Sequence, residues 1–357
     1  MRLMYITYKV DARDALVGFV AGWLNGLARH MKRIEVICLA SGEADLAPNV
    51  RVHSLGKEHG ASRLGRALAF ARLMWQLRNE VDVAFCQFSP EYVLAVAPLA
   101  KLRGWPIALW YTHRQITWRL RLATALADRV FTASPESFQL PTNKLRVIGH
   151  GIDTGQFSPG PSNSDQPIIL AVGRRAPIKH YELLIEAAAI LVNEFERKAV
   201  RVRIVGGDEG NAPPDYARQL QARIDQCGLR ETVTLVGPVP YHQLAQEYRN
   251  ATLHVNLCPT GGMDKAVLEG MVVGVPTLVR NETFRPILGG EAESLLVSDE
   301  ARAIAGRMDA VLGMSADERR ALGERLRQSV TESFGQAALT ERLAQELKAL
   351  RPGYEDS

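Results

Sequence analysis

The sequence predicts an α/β protein built from two doubly wound parallel sheets. Three observations carry that expectation. Short apolar runs alternate with amphipathic helical stretches through both halves of the 357-residue chain, the pattern of βα units that cover a parallel sheet with helices. In the second half the runs end in glycine-bearing or polar turns, as strands do where an α/β sheet forms its binding edge. A polar stretch rich in Pro, Gly and Ser, SPGPSNSDQP at 158–167, separates the halves.

In the first half, MRLMYITYKV (1–10) starts a strand and DARDALVG (11–18) is a loop ending in Gly18. FVAGWLNGLARHM (19–31) has helical periodicity, and IEVICLAS (34–41) reads as a second strand. VDVAFCQF (81–88), PIALWYTH (106–113), RVFTAS (129–134) and LRVIGHGID (145–153) read as further strands with helices between them. His113 falls at the end of one of them, where α/β proteins collect functional residues.

The second half is the more informative. IILAVG (168–173) is a buried-strand pattern, and a short loop after it carries Arg174, Arg175 and Lys179. Leu183, Leu184, Ala187, Ala188 and Leu191 then recur at helical spacing. A strand, a cationic loop and a helix N-terminus together make an anion site. RVRIVGG (201–207), TVTLVGPVP (232–240) and TLHVNLCPT (252–260) are strands, with helices at 216–229 and 242–251 between them. GGMDKAVLEGMVVGVPTLV (261–279) is a Gly-rich turn, a helix and another strand.

The order of VGR-x-x-P-x-K (172–179), GG (206–207), V-x-L-x-G (233–237), K-x-x-L-E-G-M (265–271) and G-V-P (274–276) resembles the retaining glycosyltransferases of family 4, the glycosyl transferases group 1. The resemblance implies the GT-B architecture, two Rossmann-like domains facing across a cleft. It implies an acceptor-side domain at 1–157, a nucleotide-sugar-binding domain at 158–335, and a last helix within 336–357 that crosses back to the first domain. The implied activity is metal-independent hexosyl transfer, with retention, from a UDP- or GDP-linked sugar to a glycan or lipid-linked acceptor. The nucleotide-sugar is then a substrate, and no cofactor is expected.

By position in the family's motifs, Arg174 and Lys179 are the expected diphosphate clamp. Gly18 is where a backbone approaches the donor closely, as a residue without Cβ permits. Gly262, Met263 and Asp264 are placed at the transferred sugar, and Glu269 at the ribose hydroxyls. His113 is placed near the reacting centre. Arg175 is expected to be a solvated neighbour. One departure is plain: most members carry a second glutamate eight residues before the position of Glu269, and this chain has Gly261 there.

Composition sets limits. A hydrophobic fraction of 46% and a charged fraction of 23% are those of a folded protein with room for two cores. Cys38, Cys86, Cys227 and Cys258 show no metal-ligand spacing and suggest reduced thiols. No signal peptide and no spanning run is apparent, so a cytoplasmic location is expected, with peripheral contact at the membrane face. No Asp-x-Asp pair occurs, which leaves a carboxylate-held cation without obvious ligands. The net charge is only +4, but RLGRALAFARLMWQLR (63–78) and RQITWRLRLA (114–123) interleave arginines with large apolar residues. Such helices either lie on an anionic membrane or pack on a sheet with their arginines solvated. No nucleic-acid motif is present. A nucleotide-sugar epimerase of the same fold and a non-catalytic sugar-nucleotide-binding protein are the alternatives.

Overall fold

The structure, a computed structural model, describes every residue except 15, 209–214, 260–261 and 352–357. The chain forms two compact units, one of residues 1–153 with 334–357 and the other of residues 154–333.

The first unit holds strands β1 (Arg2–Val10), β2 (Arg33–Ser41), β3 (Val50–Ser54), β4 (Val83–Gln87), β5 (Ile107–Trp110), β6 (Arg129–Thr132) and β7 (Leu145–Val147). They form one sheet in the order β3-β2-β1-β4-β5-β6-β7, with every neighbouring pair parallel. Helices α1 (Phe19–Ala28), α2 (Arg63–Gln76), α3 (Pro90–Arg103) and α4 (Trp118–Leu126) connect the strands. The central strands are buried on both faces, which is why they read as apolar runs without alternation. β3 was not anticipated. Its sequence VRVHS is a short edge strand that is nowhere fully buried, so it lacks that apolar run.

The second unit holds β8 (Ile168–Val172), β9 (Arg201–Val205), β10 (Val233–Gly237), β11 (Leu253–Asn256) and β12 (Thr277–Val279). These pair in parallel in the order β10-β9-β8-β11-β12. Its helices are α5 (Tyr181–Asn193), α6 (Tyr216–Gln226), α7 (Tyr241–Asn250), α8 (Lys265–Val273), α9 (Arg285–Leu288), α10 (Ala292–Leu295), α11 (Ala301–Gly313) and α12 (Ala316–Phe334). α5 packs against α6 and α11, and α7 against α8.

The last helix, α13 (Gln336–Ala349), belongs to the first unit and packs on α1. Its Leu339, Leu343 and Leu347 join Tyr5, Trp23, Leu27, Trp110 and Phe131 in the core on one face of the first sheet. Trp23 and Trp110 meet edge to face at 4.8 Å between ring centroids. α1 and α13 come so close that a Cβ on Gly26 would stand 2.7 Å from Thr340 Oγ1. The other face is covered by α2, α3 and α4, through residues such as Met74, Val93, Val96 and Leu120.

The first boundary falls at Asp153/Thr154, ahead of the Pro- and Ser-rich stretch that suggested it. That stretch is held by the second unit. Arg249 Nε donates to the Ser158 carbonyl at 2.9 Å, and the Asn163 amide donates to Asn250 Oδ1 at 2.9 Å. Where the chain leaves and re-enters the first unit, Ile152 and Gly335 pair as a parallel bridge. Among the described residues no helix is long and apolar enough to cross a membrane. None of the four cysteines is in a disulfide; Cys38 and Cys86 are buried and the other two half-buried.

Candidate functional site

Most of the residues singled out from the sequence lie at the carboxyl edge of the second sheet. There β8 and β9 end in glycines that meet. Gly173 has φ 154° and Gly206 φ 149°, and a Cβ on Gly206 would stand 1.9 Å from the Gly173 carbonyl oxygen. Only glycine fits such a contact. The Gly173 amide donates to Val205 O at 2.9 Å and the Arg175 amide to Gly207 O at 2.8 Å, so the loop after β8 is sutured to β9. Arg175 is not solvated as expected. Its guanidinium makes a two-pronged pair with Asp208, at 2.8 and 3.2 Å, and is largely covered. Arg174, one residue earlier, is the exposed one.

The loop then makes one tight turn, Pro177–Lys179, before α5. That turn aims the Lys179 side chain back across the end of β8, where its Nζ lies against Gly173. The ammonium forms an ion pair with Asp264 Oδ2. Asp264 is the N-cap of α8, its Oδ1 accepting from the Ala266 amide at 3.3 Å. Asn256, at the end of β11, donates to the same Oδ2 at 2.9 Å. Burial alone would raise the Asp264 pKa. The Lys179 charge, with the bonds from Lys179, Asn256 and Ala266, outweighs it and holds the carboxyl at about 2. Burial alone would likewise lower the Lys179 pKa, and Asp264 reverses that, so it is raised. Lys179, Tyr181 and Asn256 line a small pocket at this edge. A fixed ammonium, a helix N-terminus and an exposed arginine form a site suited to a bound anion.

Glu269, one turn along α8, is buried. Its Oε1 accepts from Tyr241 Oη at 3.1 Å and pairs with Lys265 Nζ at 3.3 Å. Lys265 also donates to Tyr241 Oη at 2.7 Å. Tyr248 gives its proton to the Ala266 carbonyl at 2.8 Å, so its 3.5 Å approach leaves Oε2 the less engaged oxygen. Burial raises the Glu269 pKa, and Lys265 and Tyr241 oppose that without cancelling it. His254 in β11 is fully buried edge-on to Tyr248, with neither ring nitrogen bonded, and burial lowers its pKa to about 4. Sequence reasoning did not find Tyr241, Tyr248, His254 or Asn256. Only the i, i+4 spacing of Lys265 and Glu269 was visible as a signal.

Gly262 and Met263 stand half-buried before the cap, and the Gly262 carbonyl accepts from Asn281 Nδ2 at 3.4 Å. Gly261, the position of the missing carboxylate, lies outside the described residues.

Gly18 and His113 belong to the first unit, both at the carboxyl edge of its sheet and two strands apart. Gly18 is buried immediately before α1, with φ −54° and ψ −29°. These are ordinary helical torsions, so backbone conformation does not require a glycine there. His113 lies past the end of β5 rather than in it, exposed, its ring edge-on to Tyr111 at 5.4 Å.

Residues 154–329, nearly the whole second unit, match the family described as glycosyl transferases group 1. The second unit is thus a glycosyl transferases group 1 domain. It is similar to the putative colanic acid biosynthesis glycosyltransferase WcaL of Escherichia coli, at 29% identity over 67% of this chain and 59% of that protein. It is also similar to the D-inositol 3-phosphate glycosyltransferase of Nocardia farcinica, at 30% identity over 40% of this chain and 34% of that one. The chain thus spans less than two thirds of the length of these curated relatives. Among solved structures, Anabaena Alr3699/HepE in complex with UDP and glucose aligns with a TM-score of 0.76 at 16% identity, covering 98% of this chain and all of that one. Sucrose-phosphate synthase from Thermosynechococcus elongatus aligns at 0.74 and 18% identity, over 98% of each chain. These likenesses establish the fold, the GT-B architecture with two Rossmann-like domains.

Proposed function

We propose that this group 1 glycosyltransferase moves a hexosyl group from a UDP- or GDP-linked donor to a glycan or lipid-linked acceptor, with retention and without a metal or other cofactor. The observation that carries the reading is the Lys179–Asp264 ion pair at the N-terminus of α8, beside the exposed Arg174, within the unit that matches the family.

The chemistry follows from charge. When the bond to the anomeric carbon breaks, negative charge grows on the departing diphosphate, and cations already in place lower that barrier. Lys179 has three N–H donors. One is held by Asp264, which fixes the side chain and leaves the others for phosphate oxygens. Arg174 supplies a second, forked donor. A charge-assisted bond contributes about 1.5–3 kcal/mol, so each cation accounts for roughly tenfold to a hundredfold in rate.

Asp264, charged under all ordinary conditions, accepts a sugar hydroxyl beside Gly262 and Met263. Glu269 accepts the ribose hydroxyls through Oε2, with Tyr241 and Lys265 holding its other oxygen. In the first unit His113 orients the sugar and Gly18 lets the backbone approach the diphosphate. The departing phosphate oxygen takes the acceptor's proton on the face that the acceptor attacks, which retains the anomeric configuration and needs no protein nucleophile.

The named functions of the relatives, colanic acid biosynthesis and D-inositol 3-phosphate glycosylation, support a glycan or phosphorylated acceptor. Cell-surface polysaccharide synthesis at the cytoplasmic face of a membrane accommodates both acceptor classes. Exposed Trp75 on α2 and Trp118 on α4, each among arginines, support contact with an anionic lipid surface.

The test is a thermal-shift screen of UDP-, GDP- and ADP-sugars, since a bound donor stabilises by mass action. One donor class is expected to raise the melting temperature of the wild type and to lose that effect in Lys179→Ala. No shift with any nucleotide-sugar would overturn the reading.

A further inference from the structure

Between α2 and α3, over β1 and β2, the first unit contains an open groove of about 300 Å³ that none of the chemistry above uses. Its walls are apolar: Leu39, Leu55, Ala67, Phe70, Tyr92 and Ala95 contribute to it. The polar side chains beneath are already occupied. Thr7 gives its hydroxyl proton to Gln87 Oε1 at 2.9 Å inside the sheet, and burial pushes the Cys38 thiol up to about 12, so it stays uncharged. Nothing in the floor selects for a polar ligand.

The rim differs. Arg63 and Arg66, in the first turn of α2, stand at the groove. Glu91 also reaches it, but its carboxylate is held by Ser89 and by Arg119 at 3.1 Å. α2 contains three arginines and no acidic residue. Its N-terminus, with the positive end of the helix dipole, is at the same end as Arg63 and Arg66. Outside the groove, α2 exposes Leu64, Leu68 and Trp75 along one face, so apolar surface runs from the groove to solvent.

We infer that this groove binds the hydrocarbon chain of a phosphate-headed amphiphilic acceptor, with Arg63 and Arg66 on the phosphate and the chain against Phe70, Leu39 and Leu55. The inference rests on the proposed lipid-linked acceptor. Charge complementarity selects this occupant: the walls take hydrocarbon, and of the charged side chains that line the groove Glu91 is paired with Arg119, while Arg63 and Arg66 have no carboxylate partner among the described residues. A volume of about 300 Å³ holds on the order of ten methylene-sized groups, each taking about the space of one liquid water. An acyl chain and an isoprenoid both meet that description.

The test uses hexyl, octyl and decyl phosphate below their micelle concentrations, titrated calorimetrically into the full chain without donor. Affinity is expected to rise about fourfold per added methylene until the groove is full. Octyl glucoside, which has the chain but no charge, is expected to bind at least tenfold more weakly than octyl phosphate. Arg63→Glu with Arg66→Glu should remove that preference, while Lys198→Glu in the second unit should not. Ala95→Trp fills the groove from α3 and should abolish the chain-length dependence at an unchanged melting temperature. Ala67→Phe, from α2, serves if that variant fails to fold. Farnesyl phosphate against decyl phosphate separates the isoprenoid from the acyl source. Chain-length dependence that survives both filling variants, or binding only above the micelle concentration, would overturn the inference. Sugar transfer is not read in this experiment, so failure of the proposed activity and failure of the groove are distinguishable.

Discussion

Lys179 and Asp264, 85 residues apart, form an ion pair that ties the loop after β8 to the N-terminus of α8. The cation expected to meet the donor's phosphates therefore does not wait in solvent. It is held by a carboxylate that is itself fixed by Asn256 and by its own helix. Removing either partner leaves the other charge in a largely covered place, which costs more than the net worth of the pair.

Lys179→Ala should therefore do two things. Turnover should fall at least tenfold through lost stabilisation of the leaving group. Urea unfolding should show a loss of about 1–3 kcal/mol, reduced from the cost at a dry site by partial exposure. Adding Asp264→Ala should recover part of the stability and none of the turnover. Arg174→Ala, at an exposed position, should lose turnover alone. Near wild-type turnover in both single variants would remove the phosphate site from the account.

Acid stability reports the pair independently. Asp264 titrates at about 2 in the fold against 3.8 when free, so it contributes about 2 kcal/mol, fully present above pH 4 and lost as pH falls through 2. Asp264→Asn should flatten the stability profile in that window. A profile with the wild-type slope would show that the pair does not exist in solution.

His254 governs a higher window. Its pKa is about 4 in the fold against 6.5 when free, so unfolding takes up a proton below 6.5. Stability from this group is full above pH 6.5 and declines by about 3 kcal/mol as pH falls towards 4. Denaturation of His254→Leu across pH 7 to 4.5 should show that decline removed. An unchanged slope would place the acid sensitivity elsewhere.

Much of the fold was legible because parallel strands covered on both faces, such as those of β1, β4 and β8, leave nearly unbroken apolar runs. β3 escaped because an edge strand with Arg51 and His53 lacks that signature. PIALWYTH read as strand to its end, but pairing stops at Trp110 and leaves His113 in the loop beyond. In the site, Arg174, Lys179 and Glu269 were legible through motif order. The pairings were not: Asp264, itself expected at the transferred sugar, reaches Lys179, Asp208 reaches Arg175 and Tyr241 reaches Glu269 only through contacts between segments distant in sequence, which no local pattern encodes.

Glu269→Gln is expected to act on binding more than on chemistry. A carboxylate that accepts ribose hydroxyls holds ground state and transition state alike, so the donor KM should rise with kcat little changed. The raised pKa adds a second readout. Burial makes the charged form unfavourable in the fold, so Glu269 subtracts from stability as pH rises past its ordinary range, and the Gln variant should lose that term. A large fall in kcat at constant KM would move Glu269 to the reacting centre.

The proposed reaction is transfer with retention, driven by protein cations that act on a departing diphosphate. It is tested most directly by proton NMR of the first-formed product, with the donor found by thermal shift and with excess EDTA present throughout. Undiminished turnover is expected, with an anomeric proton whose coupling matches the configuration of the donor. An inverted linkage, or activity lost to EDTA and restored by magnesium or manganese, would contradict it.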